Sequence, residues 1–172
     1  MNYKKITINT ILIFIICSLF HFGYDLLPNF FTSLFFPVNE SIWEHLKLIF
    51  TSCLVFTFIS DYIKHNKNTF IRAYSRSMLT IIIMLIIYLP FRYLFGEIMI
   101  ATLIILFASI FISEIITSLI STEKQNQRFN VICLVLLIIN FILFAILTYY
   151  PIKIDLFLDT QSNKYGIDIL NK

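Results

Sequence analysis

Along this chain run five stretches, residues 6–27, 42–63, 77–95, 98–120 and 130–150, each close to 20 residues long and almost wholly apolar. About 20 such residues cross the roughly 30 Å of hydrocarbon in a bilayer as an α-helix, a form in which a single segment satisfies its own backbone N–H and C=O groups without water. With 59% hydrophobic and 13% charged residues, against about 45–50% and 25% in a globular domain, the chain lacks the charge to cover a water-exposed surface. The expected fold is therefore an all-α membrane protein. It has a five-helix transmembrane domain over residues 1–151 and a short extracytoplasmic tail over residues 152–172. Neither an internal repeat nor a second domain is visible.

Lysine and arginine set the expected orientation. Lys4, Lys5, Lys64, Lys67, Arg72, Arg76, Lys124 and Arg128, eight of the thirteen, fall on one side of the five spans. Lys47 and Arg92 lie at helix ends on the other side, and Lys153, Lys164 and Lys172 sit in a tail diluted by Asp155, Asp159 and Asp168. The positive-inside rule then puts the N-terminus in the cytoplasm and the tail outside. Lys4 and Lys5 precede a run too long for a secretory signal, and no small-residue cleavage site follows, so the first span is read as an anchor. The basic residues punctuate apolar segments and form no stripe, which argues against a nucleic-acid partner. Cys17, Cys53 and Cys133 lie inside apolar runs without C-x-x-C spacing and are read as reduced packing residues.

Ionisable groups in membrane spans are costly, so their depth carries information. At about 1.5 Å per residue, His21 sits about 22 Å into the first span, with Asp25 one turn further on, and Arg92 reaches about 24 Å counted from Arg76. Glu40, Glu44, His45 and Lys47 occupy the outer start of the second span, and Tyr149 and Tyr150 close the fifth. One outer-leaflet layer thus gathers His, Asp, Glu, Arg and Tyr from different spans. Beside it, Pro28 to Val38 reads PNFFTSLFFPV, whose aromatic density suits the headgroup region.

A helical wheel over the second span puts Glu40, Glu44 and Lys47 on one face and turns His45 about 100° from Glu44. Glu40 and Glu44 are then expected to act with His21 or Asp25 of the first span. A divalent metal held there would have mixed N and O ligands, suiting zinc, manganese or iron. The candidate metal ligands are His21, Asp25, Glu40 and Glu44. The candidate catalytic groups are Glu40, Glu44 and His45, and the ligand-binding candidates add Asn39, Lys47, Arg92 and Tyr150.

Each residue also has a plain structural reading. Ser41-Ile42-Trp43-Glu44 is an S-x-x-E capping box, with Glu44 returning a hydrogen bond to the Ser41 amide. His21 can bond a neighbouring helix, Arg92 can pair with Asp25 or a glutamate, and Trp43 and Lys47 can be interface anchors. Glu114 can pair with Arg76, and Asn140 can bond across helices. Pro90 should break or kink the third span before Arg92. After Pro151, IKIDLFLD followed by DTQSNKYG is expected to make a short β-hairpin.

HFGYD at 21–25, followed by FFPVNESIWEHLKLIF at 35–50, resembles a family of small bacterial multi-pass membrane proteins of unknown function carrying a PVNES-x-WEH-x-K signature. In that family the last helix ends in Tyr-Pro before a segment like LF-x-D-P-x-T-G-x-Y-G. Here Tyr150-Pro151 precedes LFLDTQSNKYG at 156–166, with Thr160 in place of proline and Asn163 in place of glycine. Asparagine tolerates the left-handed conformation such a turn needs. The resemblance implies a family and no activity.

Three kinds of function remain open: binding of a lipid headgroup, ion or small molecule by the outer layer; metal-assisted hydrolysis of an envelope lipid; and a structural or accessory subunit role. No H-E-x-x-H or G-x-S-x-G is present. Five helices make a thin bundle, which leaves room beside the lipid bilayer for a homo-oligomer or a membrane partner protein, though no GxxxG face points to a particular dimer.

Overall fold

A computed structural model describes residues 2–120 and 126–167. Lys124, Asp168 and Lys172, counted in the charge asymmetry, lie outside the described residues. Five long helices carry the apolar stretches. They are α1 (Tyr3–His21), extended by the short α2 (Gly23–Leu26), α4 (Ile42–Lys64), α5 (Thr69–Phe95), α6 (Met99–Ile120) and α7 (Gln127–Tyr149). Between the first two spans lies a further helix, α3 (Phe30–Phe35).

Local chemistry fixes the boundaries. Asn2 caps α1, Asn29 and Thr32 form a reciprocal capping box on α3, Ser41 caps α4 and Asn126 caps α7, each side-chain oxygen taking an amide that the first turn leaves unpaired. His65 ends α4 in the left-handed conformation at φ 50°. The α5 helix continues through Pro90 to Phe95, so proline does not break it. Buried in lipid and packed on neighbours, such a helix tolerates the lost backbone bond.

The helices run up and down. The end of α1 meets the start of α4, Asn130 of α7 accepts from the amides of Phe70 and Ile71 at the start of α5, and Glu97 between α5 and α6 meets Thr160 in the tail. One end of the bundle therefore carries the tail, and the other carries Lys4, Lys5, Lys64 and Arg72. These are called here the tail end and the basic end.

Helix α4 is the most enclosed of the five. Its Leu46, Ile49, Phe50, Cys53 and Phe56 pack with Ile13 and Cys17 of α1, Met84 of α5, Ile110 of α6 and Phe144 of α7. Outward faces are equally apolar, with Ile86, Ile104, Ile132 and Ile139 exposed. Apolar residues all round a helix are what lipid as solvent requires. Inside, Thr10, Thr57, Ser77, Thr80 and Ser109 return their hydroxyls to carbonyls one turn back, removing the cost of a bare hydroxyl in the core. Near the basic end Arg76 pairs with Glu114, as the sequence led one to expect, and Asn9 and Thr57 complete the cluster. Asn140 instead donates to Leu136 of its own helix, not across to another.

Beyond α7 the chain makes a 3-10 turn over Asp155–Phe157 and a two-stranded antiparallel hairpin, β1 (Leu158–Asp159) with β2 (Lys164–Tyr165). Asn163 takes φ 58°, the left-handed conformation that asparagine tolerates in such a turn.

Candidate functional site

The segment from Asn39 to Lys47 divides into two groups of side chains facing opposite ways. Glu44 and Lys47 point inward. Lys47 Nζ lies 2.5 Å from Glu44 and donates to the Ser33 carbonyl at 2.8 Å and to the Thr148 hydroxyl at 3.0 Å, while Thr148 lies 2.7 Å from the other Glu44 oxygen. Glu44 also accepts from the Val38 amide at 3.0 Å. Both charged groups are fully enclosed, and every oxygen and the ammonium have partners, the condition under which a buried pair persists. This brace joins α3, α4 and α7.

Two readings of these residues are corrected. Glu44 does not complete a capping box, because its carboxylate goes to Val38 and the Ser41 amide donates to the Asn39 side chain at 2.9 Å. Lys47 is no interface anchor, since its ammonium is sealed inside the protein.

Glu40 and His45 point the other way and meet His21. Glu40 Oε2 is 3.6 Å from His21 Nε2 and 3.5 Å from His45 Nε2, and the ligand atoms of all three lie within 4.8 Å of one another. The two rings come from different spans, with centroids 5.3 Å apart. All three side chains are about one-third exposed. The pairing of Glu40 with Glu44 does not form. The helical wheel fails because Glu40 precedes the Ser41 cap and is not on the helix at all, so the loop turns it towards His45.

The ring orientation of His45 follows from its neighbours. Its Nδ1 is 2.9 Å from the Ser41 carbonyl, an acceptor only, so Nδ1 carries the proton. Its Nε2 faces the Glu40 carboxylate at 3.5 Å. The His21 imidazole beside Glu40 holds its carboxyl below the ordinary 4.5; partial burial opposes this and the charge of His45 adds to it. His21 Nδ1 is buried with no hydrogen-bond partner among the described residues.

Gly23 makes this convergence possible. A Cβ there would come within 2.5 Å of the Phe36 ring, so only glycine lets the loop after α3 close on the end of α1. Phe36 also meets Phe20 edge-on at 4.9 Å. Next to Glu40, the Asn39 amide donates to the Gly166 carbonyl at 3.1 Å, and the Ile167 amide donates to the Thr148 carbonyl at 3.1 Å. Gly166 has φ 59°, and a Cβ would stand 2.6 Å from that same carbonyl. Trp43 is flanked by Phe144 and Phe157 at 4.7 and 4.8 Å. The tail is thereby latched onto the residue preceding Glu40.

The other candidates lie apart. Of the partners expected for Arg92, Asp25 or a glutamate, it takes a glutamate, Glu97, at 2.8 Å. Asp25 is exposed and outside the cluster. Tyr150 is exposed at the end of α7, whereas Tyr149 reaches the Ser33 hydroxyl at 2.6 Å. Ser33 and Thr148 were missed by sequence reasoning, and no local pattern marks them; Gly23 stood out only as part of the HFGYD string and without a role.

The chain belongs to the family of unknown function DUF6512, whose family model matches residues 1–167. That match covers nearly the whole chain. No curated protein and no solved structure matches it.

Proposed function

We propose that this protein binds a divalent transition-metal ion at the tail end of its bundle, through His21 Nε2, His45 Nε2 and Glu40. The observation that carries the reading is the convergence of two imidazoles from separate spans on one carboxylate oxygen, at 3.5 and 3.6 Å. These separations are long for hydrogen bonds. Ligands about 2.0–2.2 Å from a tetrahedral zinc stand about 3.3–3.6 Å from one another, which matches. The His45 Nδ1–H bonded to a backbone carbonyl is the usual support of a metal-bound imidazole. Two nitrogens and a carboxylate oxygen suit zinc or ferrous iron over calcium or magnesium.

With Lys4, Lys5, Lys64 and Arg72 at the basic end, the positive-inside rule supports a cytoplasmic N-terminus. The metal site and the tail of residues 152–172 then face the outside of a bacterial cytoplasmic membrane. The exposed Phe30 and Phe31 of α3 suit the headgroup layer on that side.

Hydrolysis would need a base beside the ion, and Glu44, offered for that role by the sequence, is engaged by Lys47 and Thr148. Ion binding is therefore the stronger reading. Elemental analysis of protein purified in detergent without added chelator tests it. One transition-metal ion per chain is expected in the wild type, and loss of that ion in Glu40→Gln and His45→Ala. Equal metal content in wild type and both variants would sink it.

A further inference from the structure

At the opposite end of the bundle a cleft of about 380 Å³ is lined by Asn2, Lys4, Lys5, Ile8, Asn9 and Lys64. We infer that this cleft binds a phosphate-bearing anion, either the headgroup of an anionic lipid or free phosphate. The inference is independent of the metal site.

Three lysines from two spans line this cleft, with no carboxylate in the lining. Elsewhere in the helices Lys47, Arg72, Arg76 and Arg92 each have a carboxylate partner, whereas Arg128 in the first turn of α7 has none among the described residues. Among the described residues Lys4, Lys5 and Lys64 have none; Lys64 donates only to the Ser60 hydroxyl, at 3.0 Å. The carboxylates nearest in the fold are already taken, Asp61 by Arg72 and Glu114 by Arg76 and Asn9.

The helix backbone adds to the imbalance. Lys4 and Lys5 lie in the first turn of α1, which contains no acidic residue, and the positive end of a helix dipole disfavours cations there. Topology alone would be served by lysines anywhere on this side. Their convergence on one cleft, against mutual repulsion and the dipole, is what an anion would offset. Phosphate at a helix N-terminus beside lysines meets both sources of positive potential.

Position favours the interface. Lys4 and Lys5 open the first span and Lys64 closes the second, and the exposed Tyr3 and Tyr62 adjoin them in sequence at the level where aromatic residues meet headgroups. Ile8 gives the cleft an apolar inner wall, as a ligand with an acyl chain requires. Basic pockets between spans on the cytoplasmic face take anionic headgroups.

The test uses the full chain in detergent with chelator present, so that the metal site plays no part. Native mass spectrometry and thermal unfolding are read with added phosphatidylglycerol, phosphatidylcholine or inorganic phosphate. The wild type is expected to retain phosphatidylglycerol and to rise in Tm with it, but not with phosphatidylcholine. Affinity should fall about fivefold per lysine, on the order of a hundredfold for Lys4→Gln, Lys5→Gln and Lys64→Gln together. The charge-retaining Lys64→Arg should bind nearly as the wild type does, and the single Lys64→Gln serves where the triple variant folds poorly. A Tm rise with inorganic phosphate alone, lost in the same variants, would identify free phosphate as the source. If neither phosphatidylglycerol nor phosphate raises the Tm, or if Lys64→Gln responds as the wild type does, the inference fails.

Discussion

Glu44 and Lys47, three residues apart on α4, pair at 2.5 Å inside the protein, while His45 between them turns outward to Glu40. A single helical turn thus supplies both the brace that holds α3 and α7 and an imidazole of the candidate metal site. Because the brace is sealed from water, its two charges depend on each other.

Removing one partner should therefore be worse than removing both. Lys47→Ala leaves a buried carboxylate unpaired and is expected to cost about 3 to 5 kcal/mol. Glu44→Gln with Lys47→Met removes both charges and should cost much less. Equilibrium unfolding in mixed detergent micelles measures both, and equal losses would count against the brace.

Gly23 is predicted to act on metal affinity from outside the ligand set. In Gly23→Ala the new methyl meets the Phe36 ring at 2.5 Å, an overpacking of about 1 to 3 kcal/mol that is relieved by moving the loop carrying Glu40. Zinc affinity should fall, and Phe36→Leu in the same chain should recover part of it. An unchanged affinity in Gly23→Ala would show that the loop is not positioned this way.

The five spans were legible in the sequence because length and apolar composition suffice for them, and Arg76–Glu114 because two buried charges in neighbouring spans must find each other. Asn163 was legible for its tolerance of positive φ. Glu40 was placed on the wrong face because the helix begins one residue after the Ser41 cap, and a wheel applied too early misdirects every side chain ahead of it. Arg92 was expected to pair with Asp25 or a glutamate, and it pairs with Glu97, five residues on. Ser33 and Thr148 gave no signal, since they matter through contacts with other elements of the chain, and the HFGYD string marked Gly23 without showing that it makes room for Phe36.

Gly166→Ala should release the tail. The residue has φ 59°, and the added methyl would strike the Thr148 carbonyl, so the Asn39–Gly166 and Ile167–Thr148 bonds are expected to open together. Hydrogen exchange at the Ile167 amide should accelerate, and Trp43 fluorescence should change as Phe157 withdraws. Protection equal to wild type would contradict the latch.

Glu40 also predicts a pH dependence. Its folded-state carboxyl titrates below the ordinary 4.5, so it contributes stability that is present above 4.5 and is lost as pH falls through the lower, folded value. Metal-free protein should lose thermal stability on acidification below 4.5, and Glu40→Gln should lose less over the same interval. Identical pH profiles for the two chains would remove Glu40 as the cause.

The most direct measurement is a calorimetric titration of chelator-treated wild-type protein with zinc near neutral pH, repeated on His21→Ala, Glu40→Gln and His45→Ala. Three converging ligands from two spans and the loop between them predict one ion per wild-type chain and a marked loss of affinity in each variant. Zinc binding of the same strength and stoichiometry in all four proteins would contradict the account.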